Sequence, residues 1–197
     1  MGKNLKELKI WKFFIQSCIG IQYLHTRKIL HRDIKTINLF MMKDQSIKIG
    51  DLGVAKSMKG MNFAHTLVGT PYYLSPELWE EKAYDHKSDI WSLGCVLYEL
   101  CTLKHPFTGM NQAGLILRIV RGKYEPIPSF YSKDLSDLIA NWLQRDTRKR
   151  FSIHEILAQD SVKKKAKILG ITIPTKDEVL LSIEQQKNQI MTVFQRK

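Results

Sequence analysis

The strongest constraint on this chain is an ordered set of acidic, basic and amide side chains. Asp33 is followed by Lys35 at offset +2 and by Asn38 at offset +5, and Asp51 comes thirteen residues after Asn38. Two short apolar-rich runs stand between Asn38 and Asp51, with a polar, turn-like sequence between them, which predicts a β-hairpin. A hairpin would bring Asn38 and Asp51 side by side. The two runs are 39–42 and 47–50.

These residue types suit phosphoryl transfer, which needs an oriented nucleophile, a metal ion and neutralised phosphate charge more than covalent help from protein. Asp33 can accept the proton of a substrate hydroxyl, and Lys35 can meet phosphate charge as a point cation. Asn38 and Asp51 offer the hard oxygen ligands that Mg²⁺ prefers. The alternative, two polar surface turns without chemistry, leaves the ordered spacing unexplained.

The whole set resembles the catalytic and metal-binding loops of protein kinases, which read H-R-D-x-x-x-x-N and D-F-G. The matching residues are 31–38 and 51–53, with Leu52 in place of the usual phenylalanine. The resemblance implies ATP and Mg²⁺ as cofactors. It assigns catalysis to Asp33, Lys35 and Asn38, metal binding to Asn38 and Asp51, and contacts with ATP to Lys35, Asn38, Leu39 and Asp51.

Apolar periodicity predicts a mainly α-helical chain. Apolar residues recur at three- and four-residue steps across 5–26, which predicts a long helix, and 87–103 is apolar nearly all round, which predicts a buried one. The expected fold is therefore mainly α, resembling the large C-terminal lobe of a protein kinase with a small β-hairpin. Shorter helices are predicted at 111–121, 132–143 and 152–159, with N-caps at Ser132 and Ser152 and a capping box completed by Glu155.

Several residues are predicted to support the site rather than react. The resemblance implies that His31 packs in the core, that Asp89 holds the catalytic-loop backbone, and that Glu77 pairs with Arg150. A buried aspartate must in any case be hydrogen-bonded. His25 and His31 make a poor metal pair because no third ligand accompanies them.

A long segment of mixed composition follows the hairpin and resembles a kinase activation segment. Thr66 is its predicted phosphosite, because a phosphate there could pair with Arg32 and Lys56; the alternative is an ordinary surface threonine. Thr70 and Lys35 match the serine/threonine-kinase pattern rather than the tyrosine-kinase one. The motifs together are most similar to those of the NIMA-related kinases.

The resemblance divides the chain into a partial kinase domain at 1–160 and a basic, partly helical tail at 161–197. The tail has a sparse apolar stripe that is short for a coiled coil. No G-x-G-x-x-G motif occurs in the sequence, so we expect the ATP-covering, β-rich N-terminal lobe to be lacking. An apolar face that this lobe would cover is then expected to be exposed.

The composition limits which binding partners and which cellular compartment we expect. The hydrophobic fraction of 44% favours a packed core over disorder, and no apolar run approaches the ~18 residues of a membrane span. The net charge is +12, but the basic residues are dispersed and lack interleaved aromatics, so we expect a solvated basic surface rather than nucleic-acid binding. Attraction to a membrane or an acidic protein is the alternative. Cysteines in apolar surroundings predict a cytoplasmic or nuclear protein, and the resemblance adds cytoskeletal, centrosomal and ciliary settings.

Two functions follow from these features. The first is ATP-dependent phosphorylation of serine and threonine hydroxyls on protein substrates, with this chain a truncated or partial kinase. The second is a non-catalytic interaction module that binds a protein partner over the exposed lobe face or through the C-terminal helix.

Overall fold

The computed structural model describes residues 4–51, 56–57 and 71–195, with side chains described at 4–51 and 71–188. This part of the chain holds eight α-helices and two small antiparallel sheets. The helices are α1 Glu7–Thr26, α2 Pro76–Trp79, α3 His86–Thr102, α4 Gln112–Arg121, α5 Lys133–Trp142, α6 Ile153–Leu157, α7 Asp160–Ile168 and α8 Lys176–Gln195. The strands are β1 Ile29–Leu30, β2 Leu39–Met41, β3 Ile47–Ile49 and β4 Lys56–Ser57, and 3₁₀ turns cover Thr36–Asn38 and Pro71–Tyr73. None of these helices is long and apolar enough to cross a bilayer.

The hydrophobic core is built around α1 and α3. The buried face of α1 repeats at helical spacing, and α3 is buried nearly all round, as the sequence predicts. The ring of Phe14 lies 4.7 Å from that of Trp142, which joins α5 to α1. Burying each such aromatic side chain contributes about 1.5–3 kcal/mol relative to leaving it in water. The mainly helical fold class is confirmed.

The predicted helix ends are confirmed by their capping contacts. The Ser132 hydroxyl accepts from the Leu135 amide at the start of α5. Ser152 and Glu155 form the predicted capping box at the start of α6. Gly122 ends α4 in the left-handed region, with φ of 66°, which a residue with a Cβ rarely adopts. Each of these N-caps contributes about 1 kcal/mol.

The predicted hairpin is formed by β2 and β3, with Leu39 opposite Ile49. Its turn is closed by the Met42 amide, which donates to the Ser46 carbonyl. The hairpin packs closely on α1, where a Cβ at Gly20 would lie 2.6 Å from Ile49 Cδ1. A glycine at this position therefore lets the hairpin, and the residues at both of its ends, be held against the core.

The tail helices fold back onto α1. Val162 and Ala166 of α7 belong to the main core, a contact that the lysine-rich sequence did not predict. At α8, Gln22 Nε2 donates to the Pro174 carbonyl at 3.1 Å, and the Tyr23 hydroxyl donates to Gln186 Oε1 at 2.8 Å. Val179 and Ile183 of α8 are also buried, so the apolar stripe packs on the lobe over the helix's first half. The division into units at residue 160 stays a prediction.

Candidate active site

Three predicted catalytic residues meet on the turn between β1 and β2. Lys35 Nζ lies 2.8 Å from Asp33 Oδ2. Asn38 Nδ2 donates to the same carboxylate oxygen at 2.9 Å and to the Asp33 carbonyl at 2.8 Å. The carboxylate is therefore held by its Oδ2 atom from two sides, and neither of these bonds involves Oδ1. A carboxylate fixed in this way is suited to accept a proton from an incoming hydroxyl.

His31 ties this turn to the end of the hairpin. Its ring Nδ1 accepts from the Asp33 amide at 3.3 Å, and its Nε2 lies 3.0 Å from the Gly50 carbonyl. Because Nδ1 accepts, Nε2 carries the proton and donates to that carbonyl. The side chain is fully buried. The structure thus places His31 in the core with both ring nitrogens hydrogen-bonded.

Asp89 holds the backbone of the same turn, as predicted. Its carboxylate accepts from the amides of His31 and Arg32, each at 3.0 Å. It also accepts from the Tyr84 hydroxyl at 2.5 Å and lies 2.8 Å from His25 Nε2. Burial by itself raises the pKa of Asp89, but these hydrogen bonds and the His25 charge outweigh it and hold the pKa below its usual value. Asp89 is therefore ionised, and it holds the turn from beneath the site.

Asn38 and Asp51 are brought together through the backbone of the hairpin. The Gly50 amide donates to the Asn38 carbonyl at 2.9 Å, so Asp51 follows directly after the position bonded to Asn38. Because the Asn38 amide nitrogen is committed to Asp33, its amide oxygen is the atom that can bind a cation. Asp51 has φ of 57°, and such uncommon conformations concentrate at functional sites.

The donor set at this place fits Mg²⁺ better than a cation held by protein alone. Across the residues with described side chains, no three His, Cys, Asp or Glu groups are arranged to hold a metal ion. Mg²⁺ is commonly bound by one or two protein oxygens together with substrate phosphates. Asn38 and Asp51 supply two such oxygens, so the residues present fit that ion.

A second buried anchor joins α2 to the loop before α6. Arg150 Nη1 and Nη2 donate to the two carboxylate oxygens of Glu77 at 2.9 and 3.2 Å. The Ser88 hydroxyl adds a 2.7 Å bond to the same carboxylate, and the guanidinium lies 5.1 Å from the centre of the Trp91 ring. Burial raises the pKa of Glu77, but the bonds and charge of Arg150 outweigh it and leave the pKa lowered. The structure thus places Glu77 and Arg150 in direct contact.

Comparison with known proteins agrees with this arrangement. The family model described as "Protein kinase domain" matches residues 2–162. The chain belongs to the protein kinase family. It is 53% identical over 161 residues to "Probable serine/threonine-protein kinase nek3" of Dictyostelium discoideum, an alignment that covers 79% of the chain and 14% of that protein. It is 46% identical over 165 residues to "Serine/threonine-protein kinase Nek1" of Mus musculus, covering 83% of the chain and 14% of that protein.

The chain is also similar to a human protein of the same kinase group. The chain is 48% identical over 158 residues to "Serine/threonine-protein kinase Nek5" of Homo sapiens, covering 79% of the chain and 22% of that protein. The similarity to the NIMA-related kinases is therefore confirmed. The chain spans about a seventh to about a fifth of the length of these three relatives.

Leu39, the residue on β2 that was expected to contact ATP, is buried. Leu39 is only 6% exposed and belongs to the hydrophobic core of this kinase lobe. The next two residues, Phe40 and Met41, are 51% and 55% exposed. The sequence alone did not decide which of these residues face outward. Phe40 is thus the exposed apolar side chain of β2 that is nearest to Asn38 in sequence.

The activation segment falls mostly outside the described residues. Thr66 and Thr70 lie outside the described residues. Lys56 is described only by its backbone, which belongs to β4. Arg32, the other residue expected near a phosphate, has its guanidinium carbon 5.8 Å from the centre of the Tyr84 ring. Modification of Thr66 therefore stays a prediction.

A link between the kinase catalytic loop and the end of the activation segment was not predicted. The Tyr73 hydroxyl donates to Glu99 Oε2 at 2.6 Å, and the Thr36 hydroxyl donates to the same oxygen at 3.1 Å. Thr36 and Tyr73 also lie 3.0 Å apart through their hydroxyl oxygens. The only sequence signal was the position of Thr36 inside the catalytic motif. The bonds join elements far apart in sequence, so spacing gave no sign of them.

Proposed function

We propose that this site transfers the terminal phosphoryl group of ATP to serine and threonine hydroxyls of proteins, as a NIMA-related-like kinase. The observation that carries the proposal is the Asp33 carboxylate, held by Lys35 and Asn38 through bonds of 2.8 and 2.9 Å. A surface turn without chemistry would have no reason to order a carboxylate, an ammonium and an amide together. The relatives' own names supply the serine/threonine class for those proteins.

Each residue has a distinct part in this proposal. Asp33 orients the substrate hydroxyl and accepts its proton on the carboxylate, which the Asn38 bonds hold in position. Lys35 stands beside that carboxylate and presents a positive charge where phosphate charge must be neutralised. Asp89 holds the turn in place by accepting hydrogen bonds from the amides of His31 and Arg32.

Mg²⁺ and ATP fit the remaining donors. When bound, they supply the transferable phosphoryl group and the cation that neutralises its charge. The Asn38 amide oxygen and the Asp51 carboxylate would hold the ion. Because Leu39 is buried and Phe40 is half exposed, we expect Phe40 to provide the apolar contact with the nucleotide on β2.

The experiment is a phosphotransfer assay on the gene product translated from its complete reading frame. Asp33→Asn should lower kcat by about 10²–10⁴, because the isosteric amide cannot accept the proton. Asp44→Asn is the matched control. Asp44 is an exposed carboxylate in the turn of the same hairpin, where it accepts from the Ser46 amide and asparagine can do the same. Equal activity of the wild type and Asp33→Asn would contradict the assignment of Asp33.

A second function, that of a non-catalytic interaction module, is favoured by one specific observation. Four large apolar side chains at and beside the hairpin are strongly exposed, at 48–72%: Ile37, Phe40, Met41 and Met42. Exposed apolar residues grouped in this way mark surfaces that another protein covers. In this alternative the face binds a protein partner and no phosphoryl transfer takes place.

Titration of the purified chain with Mg²⁺–ATP separates the two functions. Micromolar affinity that is lost in Asp51→Asn would favour the kinase and contradict the module. The interaction module would be favoured if a folded chain gave no detectable heat of binding. The full-length gene product would then also have to lack phosphotransfer activity. Asp44→Asn again serves as the control, since it removes an equivalent carboxylate away from the site.

A further inference from the structure

A groove of about 1000 Å³ lies between the end of α3, the α4 helix and the segment that leads from α4 to α5. We call it the α4 groove. Cationic side chains dominate its lining, and all four of them are exposed to solvent. A single carboxylate, that of Glu125, lines it with them. The four cationic residues are Lys104, Arg118, Arg121 and Lys123.

These four side chains form no ion pair within the described part of the chain. None of them takes part in an ion pair or donates a side-chain hydrogen bond there, whereas Arg145 pairs with Glu80 and Lys133 with Asp137. The negative end of the α4 helix favours the two arginines, which occupy its last turn. It does not account for Lys104 and Lys123, which lie on separate segments on either side of that helix. The charges thus converge from three segments on one space.

The walls of the α4 groove suit an extended polypeptide better than nucleic acid. Binding of single strands relies on aromatic faces on which bases can stack. Here the rings of Tyr98 and Tyr124 pack edge to face against each other at 5.6 Å, and Tyr124 packs the same way on Phe107 at 5.9 Å. Tyr98 is buried and Tyr124 packs against two rings, so both side chains are largely engaged within the lobe. Three prolines, Pro106, Pro126 and Pro128, complete a stiff apolar lining.

The α4 groove adjoins residues that contact the catalytic loop. His105, part of its lining, stacks on Tyr72 with ring centres 4.4 Å apart and packs edge to face on Tyr73 at 5.5 Å. The Tyr73 hydroxyl in turn lies 3.0 Å from that of Thr36. A partner bound in the groove would lie next to the end of the activation segment without occupying Asp33.

We propose that the α4 groove binds an acidic, extended segment of a protein partner. Aspartate and glutamate side chains of that segment pair with the two α4 arginines and the flanking lysines, while its backbone runs over the tyrosine and proline surface. The proposal needs no phosphoryl transfer, because none of the groove residues belongs to the site at Asp33. It assigns a use to part of the net charge of +12 that the catalytic site leaves unexplained.

The test measures fluorescence anisotropy of a labelled polyglutamate peptide with the purified chain at low and moderate salt. Arg118→Gln/Arg121→Gln should raise the dissociation constant about tenfold, because two charge-assisted contacts are lost. Lys163→Gln/Lys164→Gln is the matched control: it removes the same charge from exposed positions on α7 and should leave binding within about twofold. The wild-type affinity should also fall as salt is added.

A second groove variant and a nucleic-acid probe complete the test. Lys104→Gln/Lys123→Gln leaves the α4 helix untouched and should reproduce the loss even where the arginine variant is less stable. Equal weakening by the groove and α7 variants would overturn the proposal, since net charge alone would then explain binding. Tighter binding of an oligothymidylate of equal charge, lost in the same groove variants, would overturn the assignment to a protein segment. The absence of any peptide binding by the folded chain would overturn it as well.

Discussion

The charged residues of this lobe fall into two groups that differ in how their charge is met. Asp89, Glu77 and Arg150 are buried, and each makes several hydrogen bonds to oppositely charged or polar groups. Arg118 and Arg121 of the α4 groove are exposed and have no partner in the described residues. Burying a charge costs several kcal/mol unless partners offset it, whereas an exposed charge is solvated by water. The first group therefore had to be satisfied within the lobe, and the second is left available for recognition.

This difference predicts what each group does when it is changed. Removing one partner of a buried pair strands the other without water, so stability should fall. Removing a groove arginine leaves no buried charge unpaired, so binding should change while stability stays almost constant. Substitutions in the buried group should therefore affect stability the most.

Arg150→Met should lower the free energy of unfolding by about 3–5 kcal/mol, because the Glu77 carboxylate stays buried without its cation. Urea denaturation followed by circular dichroism measures this. Arg148→Met is the control two residues away, where the guanidinium pairs with Asp146 at the surface, and it should leave the midpoint almost unchanged. Equal effects of the two substitutions would contradict the distinction between buried and exposed charge.

A double variant sharpens the same point. Arg150→Met/Glu77→Leu removes both charges and should be more stable than Arg150→Met alone, because no unpaired carboxylate remains. If the double variant were as unstable as the single one, packing of the arginine on Trp91 would outweigh its charge. Both measurements use the same denaturant series.

Asp89→Asn should lower the free energy of unfolding by about 2 kcal/mol, because one of the oxygens that accept from the His31 and Arg32 amides becomes a donor. Hydrogen exchange should quicken at those two amides more than at the remainder of the lobe. Asp85→Asn is the matched control, since Asp85 caps the same α3 helix and asparagine caps equally well. Unchanged exchange at both amides would show that other contacts hold the catalytic turn.

The residues that could be predicted from sequence are those whose relation depends on short, fixed spacing. Asp33, Lys35 and Asn38 sit within one turn, and the hairpin that leads to Asp51 is bounded by a local polar sequence. The Glu77–Arg150 pair is long-range, and it was predicted only because the family motif includes both residues. Local chemistry and the family pattern thus predicted the grouping of residues around Asp33 and the long-range pair.

The contacts that could not be predicted depend on how distant elements pack. Glu99 accepts from the Thr36 hydroxyl across sixty-three residues, and nothing in its own helix marks it as a partner. Helix α7 looks like a solvated lysine run, yet two small apolar residues, Val162 and Ala166, are enough to place it on α1. The α4 groove draws its cations from three segments, so its charge is dispersed in sequence and concentrated only in the fold.

The smallest expected effect concerns pH and two partly buried histidines. Burial lowers the pKa of His86, although Asp85 partly opposes this, with further lowering from the charges of His25 and Lys87. Burial, followed by the Lys176 charge, lowers the pKa of His154. In the unfolded chain both return to about 6.5, so below that pH the unfolded state binds more protons. Stability should therefore be fully present above about pH 6.5 and decline as the pH falls below it.

Urea midpoints measured between about pH 7.5 and 5.5 check this sign, and the loss should be smaller than that of either buried-charge variant because both rings are partly solvated. His86→Gln/His154→Gln should flatten the dependence in this range, since glutamine does not titrate. Glu77 and Asp89, whose pKa values are lowered, keep their contribution until the pH falls below about 4.5 and therefore do not interfere. An unchanged slope in the double variant would assign the dependence to other groups and leave the histidines without a part in it.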